Sequence, residues 1–415
     1  MILGKYSFGI GDRFTRQGKA LLAAVIEAKK QGVDITPVWN KSHREHTIIG
    51  TQPMSVRTEA EQAVGAMSWK GSYFVDADHI GLKNVDLFIK ASDFFTLDVA
   101  DFIGRPADED EIRKFVGKFR RYSGTVTLAG SGETLDITER QIEMTARKYL
   151  YAARQAGEIY HHIESVKGAG NFITEVSMDE TDAPQTPVEM LFILAAIAGQ
   201  QVPVQTIAPK FTGRFNKGVD YIGDVARFAK EFEQHLGVIA VAVKEFGLAK
   251  NLKLSVHSGS DKFAIYGAIN KAIKRFGAGL HVKTAGTTWL EELAGLALAG
   301  GDGPAIAKQI YREAFSRLDE LCKPYATVID IKKERLPEPA VVEKWTGEEL
   351  ADAMRHNQKC RGYNRDLRQL LHIGYKIAAE MGTQFTDAIE KYEQIIAANV
   401  TENIYERHIK PIFIN

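Results

Sequence analysis

The sequence predicts an α/β protein: a (β/α)8 TIM-like barrel with an inserted segment and a C-terminal helical extension. Three observations lead there. Short apolar runs alternate with amphipathic helical patterns along most of the chain, the signature of βα units and a mainly parallel sheet. Eight such runs can be found, the number a closed barrel needs. The runs end in abrupt clusters of imidazole, carboxylate, hydroxyl and ammonium groups, and an α/β barrel assembles its active site from polar groups at the C-terminal ends of its strands.

In order, residues 7–13 read as the first strand, with a helix over about 16–31. Residues 35–39 form the second, followed by the polar stretch 40–45 and a helix near 56–67. Residues 73–77 form the third. Regularity lapses over about 83–150, where mixed helices, an acidic helix start at 107–111 and a turn-rich stretch at 128–133 read as an insertion. Strand 172–176 then precedes helix 186–198, strand 204–208 precedes helix 223–246, and strand 252–257 precedes helix 263–276. Strand 280–284 leads into helix 289–299, and helix 304–321 leads into an eighth strand at 327–331. The barrel accordingly spans residues 1–335, and residues 336–415 form a helical extension packing on it.

The rival fold, a doubly wound open sheet, requires a phosphate loop after an early strand. Gly9-Ile10-Gly11 lacks the third glycine and no G-x-x-x-x-G-K-[ST] occurs, so neither NAD nor a nucleotide triphosphate is expected. Lys+Arg and Asp+Glu both count 53, and a chain of zero formal charge is a poor non-specific nucleic-acid binder. No membrane partner is expected, because the most apolar stretch, 188–199, is too short to cross a bilayer. Residues 1–11 lack a basic start followed by a long apolar core, so no signal peptide is read there. Cys322 and Cys360 are too few for a disulfide framework, and buried, reduced thiols fit a cytoplasmic compartment. The expected partner is a small molecule. The sequence leaves a homo-oligomer open.

A divalent metal needs several imidazole or carboxylate groups converging. His79, Glu175 and His257 each lie at or just past the end of a different predicted strand, and barrel closure would unite them. Asp76, Asp78 and Asp179 are reserve ligands. Zn, Ni, Co and Mn all accept such donors. Lys210, Lys262 and Lys283 also follow strands, where an ammonium can bind a substrate anion or act as an acid. Ser258-Gly259-Ser260 and Thr284-Ala285-Gly286-Thr287 offer hydroxyls and N–H groups before helix starts, positions that suit anions and plain capping alike. His372, on the C-terminal helical segment, either closes over the barrel mouth or sits in the core.

Four motifs together resemble the tagaturonate epimerase family. They are Val75-Asp76-Ala77-Asp78-His79, Thr174-Glu175-Val176-Ser177-Met178-Asp179-Glu180-Thr181, the stretch from Ser255 to Lys262, and Arg368-Gln369-Leu370-Leu371-His372. The likeness runs nearly end to end. It implies a barrel-like fold, a divalent metal and interconversion of D-tagaturonate with D-fructuronate. These two hexulosonates differ at carbon 3, counted from the carboxylate, which is β to both the carboxylate and the ketone at carbon 5. A proton there is not acidic by simple enolisation, so a retro-aldol route is expected. That route requires a Lewis acid on the ketone, an acid and a base, an anion pocket for the carboxylate and a closed site.

On the residues, His79, Glu175 and His257 are expected to hold metal, and Asp179 and Asp261 to do acid–base work. Lys283, with Thr284 or Lys210, is expected on the substrate carboxylate. Ser258, Lys262 and His372 complete the substrate-binding set, and the segments 83–150 and 336–415 are candidates for a lid. Another metal-dependent ketose isomerase or epimerase, or a class II-type aldolase, is the nearest alternative reading. A non-catalytic sugar-binding protein is the alternative of a different kind.

Overall fold

The computed structural model describes residues 1–284, 286–357 and 359–415. Ala285, one residue of the hydroxyl-rich turn singled out above, lies outside the described residues. Eight parallel strands close into a barrel in chain order: Tyr6–Ile10, Ile35–Ser42, Phe74–Ile80, Phe94–Asp98, Ile173–Ser177, Thr206–Ala208, Lys253–His257 and Leu280–Lys283. The last pairs with the first, placing Tyr6 opposite Leu280 and Gly9 opposite Lys283.

Seven strands fall where the sequence puts them, but the remaining one does not. Residues 327–331 carry no strand, and the fourth barrel strand is Phe94–Asp98, inside the segment read as an insertion. The reason is the connection before it. The third and fourth strands are joined by a single 3-10 turn, Val85–Leu87, where a crossover helix would normally lie, so the alternation is lost. Phe94-Phe95-Thr96-Leu97 is the near-continuous apolar run of a strand covered on both faces. Val328 and Ile329 are apolar too, but they line a surface cavity. What is added after the fourth strand is the helix Glu109–Phe119 and a hairpin, Gly124–Thr127 with Thr134–Ile137. The barrel helix Glu139–Lys167 follows, started by a reciprocal cap between Thr138 and Gln141.

Side chains alternate in and out along each strand, and the barrel interior is graded along its axis. At the N-terminal end Leu3, Val38, Phe74, Phe94 and Ile173 form a small apolar plug. Two residues further along the same strands come Asn40, Asp76, Thr96 and Glu175, all buried. Gly9 belongs to this polar layer. A Cβ there would meet Lys283 Cγ at 2.9 Å and Asn40 Nδ2 at 3.0 Å, so the missing side chain makes room for the lysine.

Beyond residue 336 the described chain is largely helical, and these helices pack on the barrel's outer layer. Helix Glu393–Glu402 lies against Gly286–Leu298, so closely that a Cβ on Gly295 would meet Ile396 Cα at 2.8 Å. The terminal helix Asn403–Ile414 lies against Phe263–Phe276 and Gly18–Lys30. Trp289, fully buried, packs on Phe14 and Phe385 and donates its indole N–H to the Leu371 carbonyl at 2.6 Å. Among the described residues no helix is long and apolar enough to cross a membrane. Cys322 and Cys360 are unpaired, as expected, but half-buried rather than buried.

Candidate active site

At the C-terminal ends of the strands a cavity of about 1150 Å³ opens, walled by residues 209–217 and 324–329 as well as by strand ends. Its floor is a network of charged groups. The Lys283 ammonium lies 2.7 Å from Asp76 Oδ2, 2.9 Å from Asp78 Oδ1 and 3.0 Å from Glu175 Oε1, and donates to Thr96 Oγ1. Thr96 in turn donates to Asp76 at 3.0 Å. Burial would lower the lysine, but the carboxylates outweigh it and hold Lys283 well above its ordinary value. Burial raises Asp76 to about 7 even beside that lysine, because Asp78 and Glu175 crowd it with like charge.

Above this floor stand His79, Asp179 and His257, all half-buried, each offering one donor atom within 4.8 Å of the others. His257 Nε2 bonds to Glu175 Oε1 at 2.8 Å, which leaves Nδ1 facing Asp179 Oδ2 at 3.2 Å. That Nδ1 is buried and makes no hydrogen bond. His79 Nδ1 bonds to Asp98 Oδ2 at 3.2 Å, and its ring meets that of His257 edge-on at 5.2 Å. Burial alone would lower His257; the carboxylates of Asp179 and Glu175 outweigh it and hold it at about 9. Asp179 is held far below the carboxylate range despite its burial, by His257 and His79, and it accepts from Ser177 Oγ at 2.6 Å.

The backbone at His79 is built for this. The register between the third and fourth strands slips between Ala77 and Ile80, and His79 has φ of +52°. A left-handed non-glycine residue beside a strand bulge is costly, and such strain collects at functional sites.

Several expectations change here. Glu175 lies behind His257 rather than beside it in the donor cluster; its place is taken by Asp179. Glu175 is completely buried, and its carboxylate fixes the orientation of the imidazole through the bond to Nε2. Asp261 is not in the cavity wall. Its carboxylate takes Arg368 Nη2 at 2.6 Å, His356 Nδ1 at 3.0 Å and Thr287 Oγ1 at 3.1 Å, with His408 Nε2 3.1 Å away, and it is fully buried. Lys262 is buried with its ammonium on the carbonyls of Asn216 and Val219 at 3.1 and 2.8 Å. Ser258 Oγ donates to the Lys283 carbonyl at 2.8 Å, holding two strand ends together.

Thr284 and His372 are buried, and neither lines the cavity. Lys210 does line it, with its ammonium on the Thr181 carbonyl. Of the segment 83–150 only Asn84 and Asp98 line the cavity, and among the described residues 336–415 contribute nothing to the lining, so 336–415 does not cover it. The sequence reading also passed over Asp98, although Phe94-Phe95-Thr96-Leu97-Asp98 is itself an apolar run ending in a carboxylate.

A profile of the tagaturonate epimerase family matches residues 2–412. The chain belongs to that family. It is thereby an enzyme of the isomerase class, an epimerase. A tagaturonate/fructuronate epimerase from Thermotoga maritima is 28% identical over 418 residues, covering 97% of this chain and 80% of the relative. The crystal structure of a fructuronate-tagaturonate epimerase from Cohnella laeviribosi with two glycerols has a TM-score of 0.81 at 24% identity. It covers 100% of this chain and 83% of that one. The native form of the same Cohnella enzyme gives 0.78 at 24% identity, over 98% of this chain and 81% of that one. At that identity the likeness shows the fold.

Proposed function

We propose that this enzyme interconverts D-tagaturonate and D-fructuronate with a divalent metal held by His79, Asp179 and His257, by retro-aldol cleavage and re-closure. One observation carries the metal: three donor atoms within 4.8 Å of one another at the barrel mouth. The donor set fits, because the His257 Nδ1 facing Asp179 is buried and has no hydrogen bond. Two imidazoles and a carboxylate suit Zn, Ni, Co and Mn alike. Bound there, the ion supplies a Lewis acid for the substrate's ketone oxygen.

The chain's own residues do the rest. Glu175 and Asp98 fix the orientation of His257 and His79. Lys283 neutralises the carboxylate floor that would otherwise repel an anionic sugar. Removing the proton from the carbon-3 hydroxyl lets its oxygen electrons form an aldehyde while the bond between carbons 3 and 4 breaks. That electron pair becomes the enediolate of dihydroxyacetone, and the other fragment is tartronate semialdehyde. Turning the aldehyde and re-forming the bond inverts carbon 3, and a proton returns to its oxygen. Among the carboxylates lining the cavity, Asp78, Asp98, Asp179 and Glu45 are already engaged. Glu180 and Asp182 have no hydrogen bond or ion pair among the described residues and are free to take the proton, the work first expected of Asp261.

The test is metal analysis of purified protein with a fructuronate-to-tagaturonate assay before and after chelation, run in deuterated water. Stoichiometric metal, activity lost to chelator and restored by a divalent ion, and no deuterium at carbon 3 support the reading. Full activity without metal removes the ion, and deuterium at carbon 3 removes the aldol route. Release of free three-carbon fragments would make it an aldolase.

A further inference from the structure

Six lysine and arginine side chains line the cavity, and four of them are already engaged. Lys283 is surrounded by three carboxylates. Arg13 is paired with Glu45 at 3.0 Å, Arg214 lies 3.8 Å from Asp330, and Lys210 donates to the Thr181 carbonyl. The remaining two, Arg44 and Lys217, have no hydrogen bond from their charged groups and no ion pair among the described residues. They come together on one aromatic ring. Arg44 Cζ stands 5.4 Å and Lys217 Nζ 5.9 Å from the centroid of Tyr325. The ring is fixed, because the Tyr325 hydroxyl meets that of Tyr375 at 2.7 Å and Tyr375 carries the Arg13 guanidinium at 4.1 Å from its centroid.

Two like charges converging on one ring repel each other, and burial adds to the cost. Lys217 is half-buried, and burial lowers it; Glu180 and Glu45 oppose that shift, and the positive charge of Arg44 and Arg13 adds to it. An anion between them relieves both penalties at once. The ring they share belongs to the cavity wall 324–329, which overlaps the run 327–331 that the sequence pattern offers as a strand.

We infer that Lys217 and Arg44, seated on Tyr325, bind the substrate's carboxylate and so select a sugar acid over a neutral sugar. This rests on the function proposed above. It replaces Lys283, Thr284 and Lys210, the groups first expected on the carboxylate.

The experiment compares wild type with K217M, R44M and K217R. Each methionine variant is expected to raise KM for fructuronate about 10–100-fold with little change in kcat, the loss of one charge-assisted contact. K217R is expected to recover most of that loss. In parallel, a non-reactive six-carbon aldonate, gluconate, is titrated calorimetrically into each protein. Saturable binding to the wild type, weakened at least about 10-fold in K217M and R44M, supports the cation pair. No aldonate binding to the wild type, equal affinity in both variants, or a fall in kcat with KM unchanged overturns it. R44M carries the test if K217M does not fold, because Arg44 is exposed. Failure of the wild type to turn over fructuronate sinks the proposed function, while the aldonate titration still judges the cation pair.

Discussion

His257 and Asp261 are four residues apart on one strand-to-helix loop, and each is the centre of a cluster of opposite charges. His257 is half-buried and keeps a ring nitrogen without a hydrogen bond at the edge of the cavity. Asp261 is sealed, and both its oxygens are taken by groups of the C-terminal segment and by Thr287. The chemistry of the two clusters is alike: carboxylate, imidazole, a fixed cation. What separates them is access. One stands at the edge of the cavity, and the other holds residues 356–408 against the barrel. A polar cluster at a strand end is thus a site only where the fold leaves it a path in.

The sharpest break of this comparison is at the open cluster. Asp179→Asn or His257→Ala should lower kcat by at least about 10³-fold and abolish stoichiometric metal, with the unfolding midpoint little changed. Retained metal in both variants would show that the cluster is not the donor set. At the sealed cluster the effect should be inverted. Arg368→Met leaves the Asp261 charge buried without its guanidinium and should cost about 3–5 kcal/mol in denaturant titration. Its kcat/KM measured below the transition should stay near that of the wild type. A catalytic loss without a stability loss would return Asp261 to the reaction.

Glu175→Gln sharpens the open cluster from behind. With the carboxylate charge gone, the hydrogen bond to His257 weakens, and metal affinity should fall about 10–100-fold in a competition titration. A loss no larger than a few-fold would mean that Glu175 serves Lys283 rather than His257.

The smallest effect concerns His372, on the helix that carries Arg368. It is buried, neither ring nitrogen has a hydrogen bond, and burial reinforced by Arg13, Lys217, Arg368 and Lys262 holds it well below its ordinary value. The unfolded chain therefore takes up a proton below about pH 6.5 that the folded chain refuses, so stability falls as pH drops through that value. His372→Leu should flatten this slope by about 1.4 kcal/mol per pH unit, read as unfolding free energy from pH 6.5 downward. An unchanged slope would mean that His372 is protonated in the fold.

The sequence by itself determined the barrel and most of its mouth. Period-two alternation and apolar runs placed seven strands, because those patterns are imposed by the local geometry of a covered strand. The same patterns put His79, Asp179, Glu175, His257 and Lys283 at strand ends, where closure of any eight-stranded barrel brings them together. Tertiary structure decided what spacing along a chain cannot carry. It chose Phe94–Asp98 over residues 327–331 as the missing strand, because a 3-10 turn replaced a crossover helix. It set Asp179 in front of His257 and Glu175 behind it, and it seated His79 at a bulge with left-handed backbone at the end of the third strand. It turned Asp261 and Lys262 inward while His257 stayed at the opening, a difference of direction among neighbours on one loop. Direction depends on what packs from elsewhere, here Arg368, His356 and His408 from more than ninety residues away.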